Sequence, residues 1–296
     1  MRIAATLVAA LIPVWLYSQG SSSGVSHLNI PCLPRPAAMG QALVADPGVL
    51  SSASNNPANL LNPESAEILL SHSEWIQDVR SEYLTARIPV SGFSMGLSVR
   101  STSIEGIEIR ERPGPPLGTV TARSLSIGAT GALEVVENAT FGLTLRYLYE
   151  KMYVDEANGY SADLGVLYKT PIEALTGGFS VTNLGRLGAF RQEASSLPTM
   201  LNLGARYGLT FDEFTLLLAP AFLMRLEPST PMAALGAEVS YLEMVSLRVG
   251  YQSGYDARTF SAGLGVRYGL VGVDYAYVPF SEDLGASHII SVGVSF

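Results

Sequence analysis

The run Ser287-His288-Ile289-Ile290-Ser291-Val292-Gly293-Val294-Ser295-Phe296 alternates to its last residue. Ile290, Val292, Val294 and Phe296 share one face, with Ile289, Ser291, Gly293 and Ser295 on the other. A tilted β-strand needs about 9–11 residues of this outward-apolar, inward-small pattern to cross hydrocarbon. Chain ends in water fray, so an aromatic that completes the apolar face at the terminus points to a strand held by lipid and by its neighbours. The run is expected to be a lipid-facing barrel strand, with Phe296 as the assembly signal presented to the barrel-assembly machinery.

Composition agrees with that reading. Hydrophobic residues make up 48% of the 296 and charged residues 15%, with 29 Gly, 14 Tyr and 10 Phe, which suits a glycine- and aromatic-rich barrel. After residue 17 no apolar stretch approaches the about eighteen residues of a membrane helix. Backbone in lipid must satisfy its own hydrogen bonds, and without helices only the closed barrel does so. Arg2, the apolar run 3–17 and the small or polar Ser18, Gln19, Gly20 and Ser21 read as a secretory signal over residues 1–20. The run is short for a membrane anchor. Cys32 is the only cysteine, which excludes an intramolecular disulfide, and the preceding Asn29-Ile30-Pro31 is a poor match to a lipoprotein cleavage site. A formal charge of −8 argues against nucleic acid as a partner, since that binding rests on clustered Lys and Arg.

Period-two segments bounded by turn residues give about fourteen strands between Ser65 and Phe296. Phe141, Leu143, Leu145, Tyr147 and Tyr149 oppose Gly142, Thr144, Arg146, Leu148 and Glu150; Phe260, Ala262, Leu264, Val266 and Tyr268 oppose Ser261, Gly263, Gly265, Arg267 and Gly269. The connections alternate in length, as those of outer-membrane barrels do. Short ones fall at Pro89–Gly92, Glu134–Asn138, Leu209–Glu213 and Leu242–Met244. Longer ones fall at Thr102–Val120, Met152–Gly159, Gly185–Pro198 and Pro279–Ser287. A soluble sandwich has no reason to sort its long loops to one end. Tyrosines near strand ends, among them Tyr168, Tyr207, Tyr251 and Tyr268, fit aromatic girdles at the headgroups.

The predicted fold is therefore an integral outer-membrane antiparallel β-barrel of about fourteen strands over residues 65–296, in the bacterial outer membrane. Residues 21–64 carry no membrane-strand pattern. A segment of that length at the barrel's entrance is expected to sit in the lumen as a plug, because a fourteen-strand barrel is wide enough to need filling; a disordered periplasmic leader is the alternative.

The stretch Ala38-Met39-Gly40-Gln41-Ala42 through Asp46 to Asn56-Pro57-Ala58-Asn59-Leu60 resembles the opening motif of PorV/PorQ-family outer-membrane proteins, which are FadL-like barrels. Val181-Thr182-Asn183-Leu184-Gly185, Leu197-Pro198 before Asn202-Leu203-Gly204, and Val273-Asp274-Tyr275-Ala276-Tyr277-Val278-Pro279 follow in family order. Gln41 stands where the family has a second Gly, and Asn59 replaces the Gly after Asn-Pro-Ala. The resemblance covers about residues 33–296 and implies a plug or hatch motif of Met39, Gly40, Asp46, Asn56, Pro57 and Ala58. It implies a role in protein secretion or surface assembly of the type IX kind, with secretion-system proteins or cargo as partners. The alternative it carries is FadL-like import of a hydrophobic small molecule.

Gly92-Phe93-Ser94-Met95-Gly96 matches the nucleophile elbow of serine hydrolases, with Asp283 and His288 in suitable chain order. The elbow needs a strand, a sharp turn and a helix, whereas Phe93, Met95, Leu97 and Val99 continue an alternating strand. Ser94 is expected to face the lumen, and the chain is not expected to be an enzyme. His27, His72 and His288 are scattered with no carboxylate or cysteine at ligand spacing, so no metal and no cofactor is expected. The parity of Arg100, Arg146, Arg206, Arg248 and Arg267 and of Glu150, Asp163, Glu238 and Asp274 puts these charges inside, where they avoid the about 2–4 kcal/mol penalty of a midplane charge facing lipid. They are read as salt bridges bracing plug and wall, with a substrate path as the alternative. Met39, Leu43, Trp75, Phe190 and Phe280 are candidates for a hydrophobic pocket.

Overall fold

Lipid on one side and a packed interior on the other impose a period of two on every crossing strand. A computed structural model describes residues 25–110, 112, 114–189, 194–255 and 257–296. The expected signal segment and Phe190 lie outside the described residues. The strands are β1 (Glu67–Glu74), β2 (Val79–Val90), β3 (Phe93–Ile109), β4 (Gly118–Val136), β5 (Ala139–Met152), β6 (Asp155–Lys169), β7 (Leu175–Leu187), β8 (Ser195–Ser196), β9 (Met200–Phe211), β10 (Phe214–Arg225), β11 (Thr230–Tyr241), β12 (Val245–Gln252), β13 (Phe260–Tyr268), β14 (Val271–Pro279) and β15 (Ala286–Ser295).

All but β8 form one closed antiparallel ring of fourteen strands. β1 pairs with β15 from Glu67↔Ser295 to Glu74↔His288, which seals the barrel, and the two-residue β8 adds only to the upper end of β7. Closure gives each of the fourteen strands a neighbour on both sides. Phe296 exchanges two backbone bonds with Ala66, at 2.9 and 3.0 Å, so the last residue belongs to the closing seam.

The outer face is apolar: Leu70, Leu97, Leu145, Leu203, Leu247, Val249 and Phe260 are all exposed. Tyr168, Tyr207, Tyr251 and Tyr268 are exposed on the same face, as headgroup-level aromatics are. Ser71, Thr85, Arg87, Arg100, Thr144, Glu238 and Arg248 point inward and are buried.

Two expected loops are shorter than the sequence suggests. β3 continues to Ile109 and β4 begins at Gly118, so the connection expected over 102–120 shrinks to residues 110–117. β5 and β6 are joined only by Tyr153 and Val154. Beyond the lipid no apolar face is required, so charged strand such as Glu105 to Glu108 loses the alternation while keeping its ladder. The register shift between Ile104 and Ile107, at Gly106 with φ +73°, breaks the period as well.

Residues 25–64 contain one α-helix, α1 (Pro34–Ala38), and helical turns at Ser26–Asn29, Leu50–Ser52 and Pro57–Leu60. This segment packs against inward faces around the ring. Val25 meets Leu148, Leu187 and Leu197; Ala37 and Ala38 meet Ala276, Val278 and Ile289; Met39, Leu43 and Val44 meet Leu217, Leu223 and Met232; Leu33, Leu50 and Leu60 meet Leu69 and Ala132.

Candidate functional site

Residues 25–64 pack against inward-facing side chains of the strands, and the chemistry lies where the two meet. Arg35, in α1 and flanked by Pro34 and Pro36, is a lone charge in an apolar stretch, and its partners are carboxylates. Its Nε donates to Glu238 Oε2 at 2.9 Å and its Nη2 to Glu238 Oε1 at 3.1 Å, while Nη1 reaches Asp46. Glu238 also pairs with Arg248, which pairs in turn with Asp274; Asp46 Oδ1 lies 3.3 Å from Arg206 Nε. Four members of this chain of charges, Arg206, Glu238, Arg248 and Asp274, are among the residues assigned to the lumen by parity, and Asp46 belongs to the expected plug motif. Arg35 was not foreseen, although an isolated arginine between apolar residues signals a buried partner. Burial pulls the Arg35 guanidinium down, but Asp46 and Glu238 together outweigh it and hold the group well above the usual arginine range.

The remaining charges are placed individually. Arg146 pairs with Asp163. Glu150 Oε1 lies 3.2 Å from His27 Nδ1, and burial, then Arg100, lower that imidazole to about 3. Arg267 is exposed at the end of β13, outside this network. A further inward pair escaped the sequence: Arg87 donates to Glu67 at 3.0 Å, to the Gly48 carbonyl at 2.8 Å and to the Ser65 carbonyl at 2.9 Å. It clamps the segment where it passes into β1.

Asn56, Pro57 and Ala58 dock on β5 and β6. Asn56 caps its helical turn by accepting from the Ala58 N–H at 3.0 Å, and its amide donates to the carbonyls of Val44 at 2.8 Å and Val166 at 3.1 Å. The wall makes room with glycine: a Cβ on Gly165 would sit 1.9 Å from Asn56 Oδ1, and one on Gly142 would sit 2.3 Å from the Ala58 nitrogen. Gly40 has φ +62° and backs onto Tyr251, where a Cβ would meet the carbonyl oxygen at 2.8 Å.

The two departures from the family motif have structural roles. Gln41 adopts φ +62°, the conformation a glycine would supply, and accepts from the Asn55 amide at its carbonyl and at Oε1. Asn59, fully buried, donates to the carbonyls of Leu43 and Ser52 and accepts from the Asp46 N–H at 2.8 Å.

Ser94 is buried and accepts from the Asn62 N–H at 2.9 Å, while His288 lies on the outer face beside Tyr275 and Tyr277. The elbow motif is thus strand and packing. Met39 and Leu43 are buried core, and Trp75 and Phe280 meet edge-on at 5.2 Å against the cluster around Ala37. A cavity of about 140 Å³ lies between residues 28–32 and the wall, with Arg100, Arg146 and Arg258 among its lining.

Among the described residues the strand pairing is interrupted beside this cavity. The β7–β9 ladder ends at Thr182↔Met200, and β7 continues with β8 instead. Opposite it the β6–β7 register shifts between Ala162 and Leu164, with Asn183 at φ +59° and its N–H bonded to Asp163 at 2.8 Å.

No family model and no curated protein sequence matches the chain. Its fold matches solved outer-membrane channels. The CymD monoaromatic hydrocarbon channel is 14% identical, with a TM-score of 0.61 over 89% of this chain and 96% of its own. A Pseudomonas aeruginosa FadL homologue is 12% identical, with a TM-score of 0.59 over 94% and 99%. The Pseudomonas putida toluene transporter TodX is 11% identical, with a TM-score of 0.59 over 88% and 96%. The chain therefore has the FadL-like outer-membrane barrel fold. These likenesses show the fold alone and say nothing of a PorV/PorQ branch.

Proposed function

We propose that the protein is an outer-membrane channel for small, largely apolar molecules, with residues 25–64 as a hatch across its bore. The observation that carries this reading is the match of a closed fourteen-strand barrel, over most of its length, to channels of that kind; the packing of residues 25–64 against inward side chains supports the hatch. Such a hatch moves only if its contacts can be exchanged, and buried ion pairs suit exchange better than packed hydrocarbon, because water solvates the separated charges. The break between β7 and β9 gives a moving hatch a weak side of the wall to work against. The channel is not an enzyme in this reading. A secretion role gains no support from the external aromatics, since Trp75 and Phe280 cover each other and the inner cluster.

The test is uptake of labelled toluene by bacterial cells lacking their own hydrocarbon channels, with and without this protein in the outer membrane. A several-fold rise in initial rate is expected, with no rise for a sugar of similar size. Unchanged toluene uptake, or co-purification of a secretion complex with the barrel, would overturn the proposal.

A further inference from the structure

The arginines inside the barrel fall into two classes. Arg35, Arg87, Arg146 and Arg248 each meet a carboxylate. Arg100, on β3, does not: it is 7% exposed, its Nε and Nη2 have no hydrogen-bond partner, and no carboxylate lies within ion-pair distance among the described residues. Arg258, in the connection between β12 and β13, is 8% exposed; its Nε is also unpartnered, and its guanidinium lies 4.1 Å over the Tyr255 ring. The Gln41 Nε2 is unpartnered as well. All three side chains line the same cavity of about 140 Å³, whose lining carries no Asp or Glu.

A buried guanidinium without a counter-charge is costly, and Arg35, Arg87, Arg146 and Arg248 each have one; Arg225, away from this cavity on β10, also keeps an unpartnered Nε. Cations left open around one cavity fit an anion that comes from outside. Leu28, Ile30, Tyr83 and Met200 are the apolar part of a lining that also carries polar residues such as Asn55, Ser98 and Asn202, which suits an occupant with a compact organic body as well as a charge. The volume is close to that of an engineered cavity, about 150 Å³, which takes up benzene.

We propose that this cavity binds a small organic carboxylate of benzoate size, its charge met by Arg100 and Arg258 and its body by Tyr83 and Ile30. The inference rests on the channel reading and narrows it, by adding a compact anion to the neutral hydrocarbons named for the structural neighbours.

Isothermal titration of the purified full-length barrel in detergent tests it, with benzoate, benzyl alcohol and inorganic phosphate as probes. Benzoate is expected to bind at least about tenfold more tightly than benzyl alcohol, a difference of one charged hydrogen-bonded contact. Arg100→Met is expected to remove that margin and Arg100→Lys to restore part of it. Folding of each variant is checked by its heat-dependent gel mobility. Should Arg100→Met fail to fold, Arg258→Gln and the wild-type comparison of benzoate with benzyl alcohol decide the matter. Equal binding of the two, no benzoate binding, or displacement of benzoate by equimolar phosphate would each overturn the proposal. Toluene uptake without benzoate binding would sink this inference and leave the channel standing. Benzoate binding without uptake of either compound would do the reverse.

Discussion

Arg35 and Glu238, 203 residues apart in the chain, meet as a two-point guanidinium–carboxylate pair, with N–O distances of 2.9 and 3.1 Å. One partner rides on the segment inside the bore and the other on β11. Removing the arginine would strand the Asp46 and Glu238 carboxylates together in a buried place, although Arg206 and Arg248 remain beside them. Breaking one side of such a pair costs about 3–5 kcal/mol. Arg35→Met is expected to leave the barrel folded while loosening residues 25–64. The measurement is proteinase K cleavage within that segment, together with single-channel conductance in planar bilayers. Unchanged cleavage and conductance would show that the pair does not hold the segment.

Glycines on the inner wall allow a second test, because they differ in what lies against them. Gly165→Ala puts a methyl group 1.9 Å from Asn56 Oδ1 and 2.8 Å from the Pro57 ring, so either the Asn56 amide gives up its bonds to Val44 and Val166 or the helical turn at Pro57–Leu60 moves. The expected cost is about 1–3 kcal/mol, the usual range for forced overpacking. Gly131→Ala, where nothing lies within 4 Å, is the control and should fall within about 0.5 kcal/mol of the parent. Urea midpoints in detergent would separate them.

Gln41 holds a left-handed conformation that costs a non-glycine residue about 1–2 kcal/mol. Its hydrogen bond from Asn55 returns about 1 kcal/mol of that. Gln41→Gly should therefore be nearly neutral, and Gln41→Val, β-branched in a left-handed position and without the bond, clearly destabilising. If the two variants melted alike, the backbone there would not be under the strain its φ indicates.

The wall was legible in the sequence because lipid and interior impose opposite demands on successive residues. Phe260 to Tyr268 shows this: Phe260, Leu264, Val266 and Tyr268 are exposed, and Ser261 is buried. The same rule placed Arg100 and Glu238 inside. It stops at the edge of the bilayer, and so the upper ends of β3 and β4 were read as loop. Contacts between the amino-terminal segment and the wall follow no period at all. Arg35 could be seen as a charge needing a partner, but Glu238 as that partner depends on where the chain turns at Gly40 and Gln41. Asn59, a departure from the family motif, bonds to Asp46, Leu43 and Ser52 only once that turn has been made.

Acid should loosen one end of the segment. Burial first, and Arg100 second, lower the His27 imidazole from 6.5 to about 3. Docked, His27 binds a proton less readily than it does in the released segment. The docking it supports is thus fully present above about 6.5, the ordinary histidine value, and is lost as the pH falls from there toward 3. Each unit in that window should favour release by up to about tenfold. Proteinase K cleavage near residues 25–30 is expected to rise between pH 7.5 and 5.5, after correction for the protease's own pH dependence. His27→Gln, which has no proton to gain, should flatten that rise. A variant that kept the full pH dependence would place the sensitive group elsewhere, with Glu150 the next residue to replace.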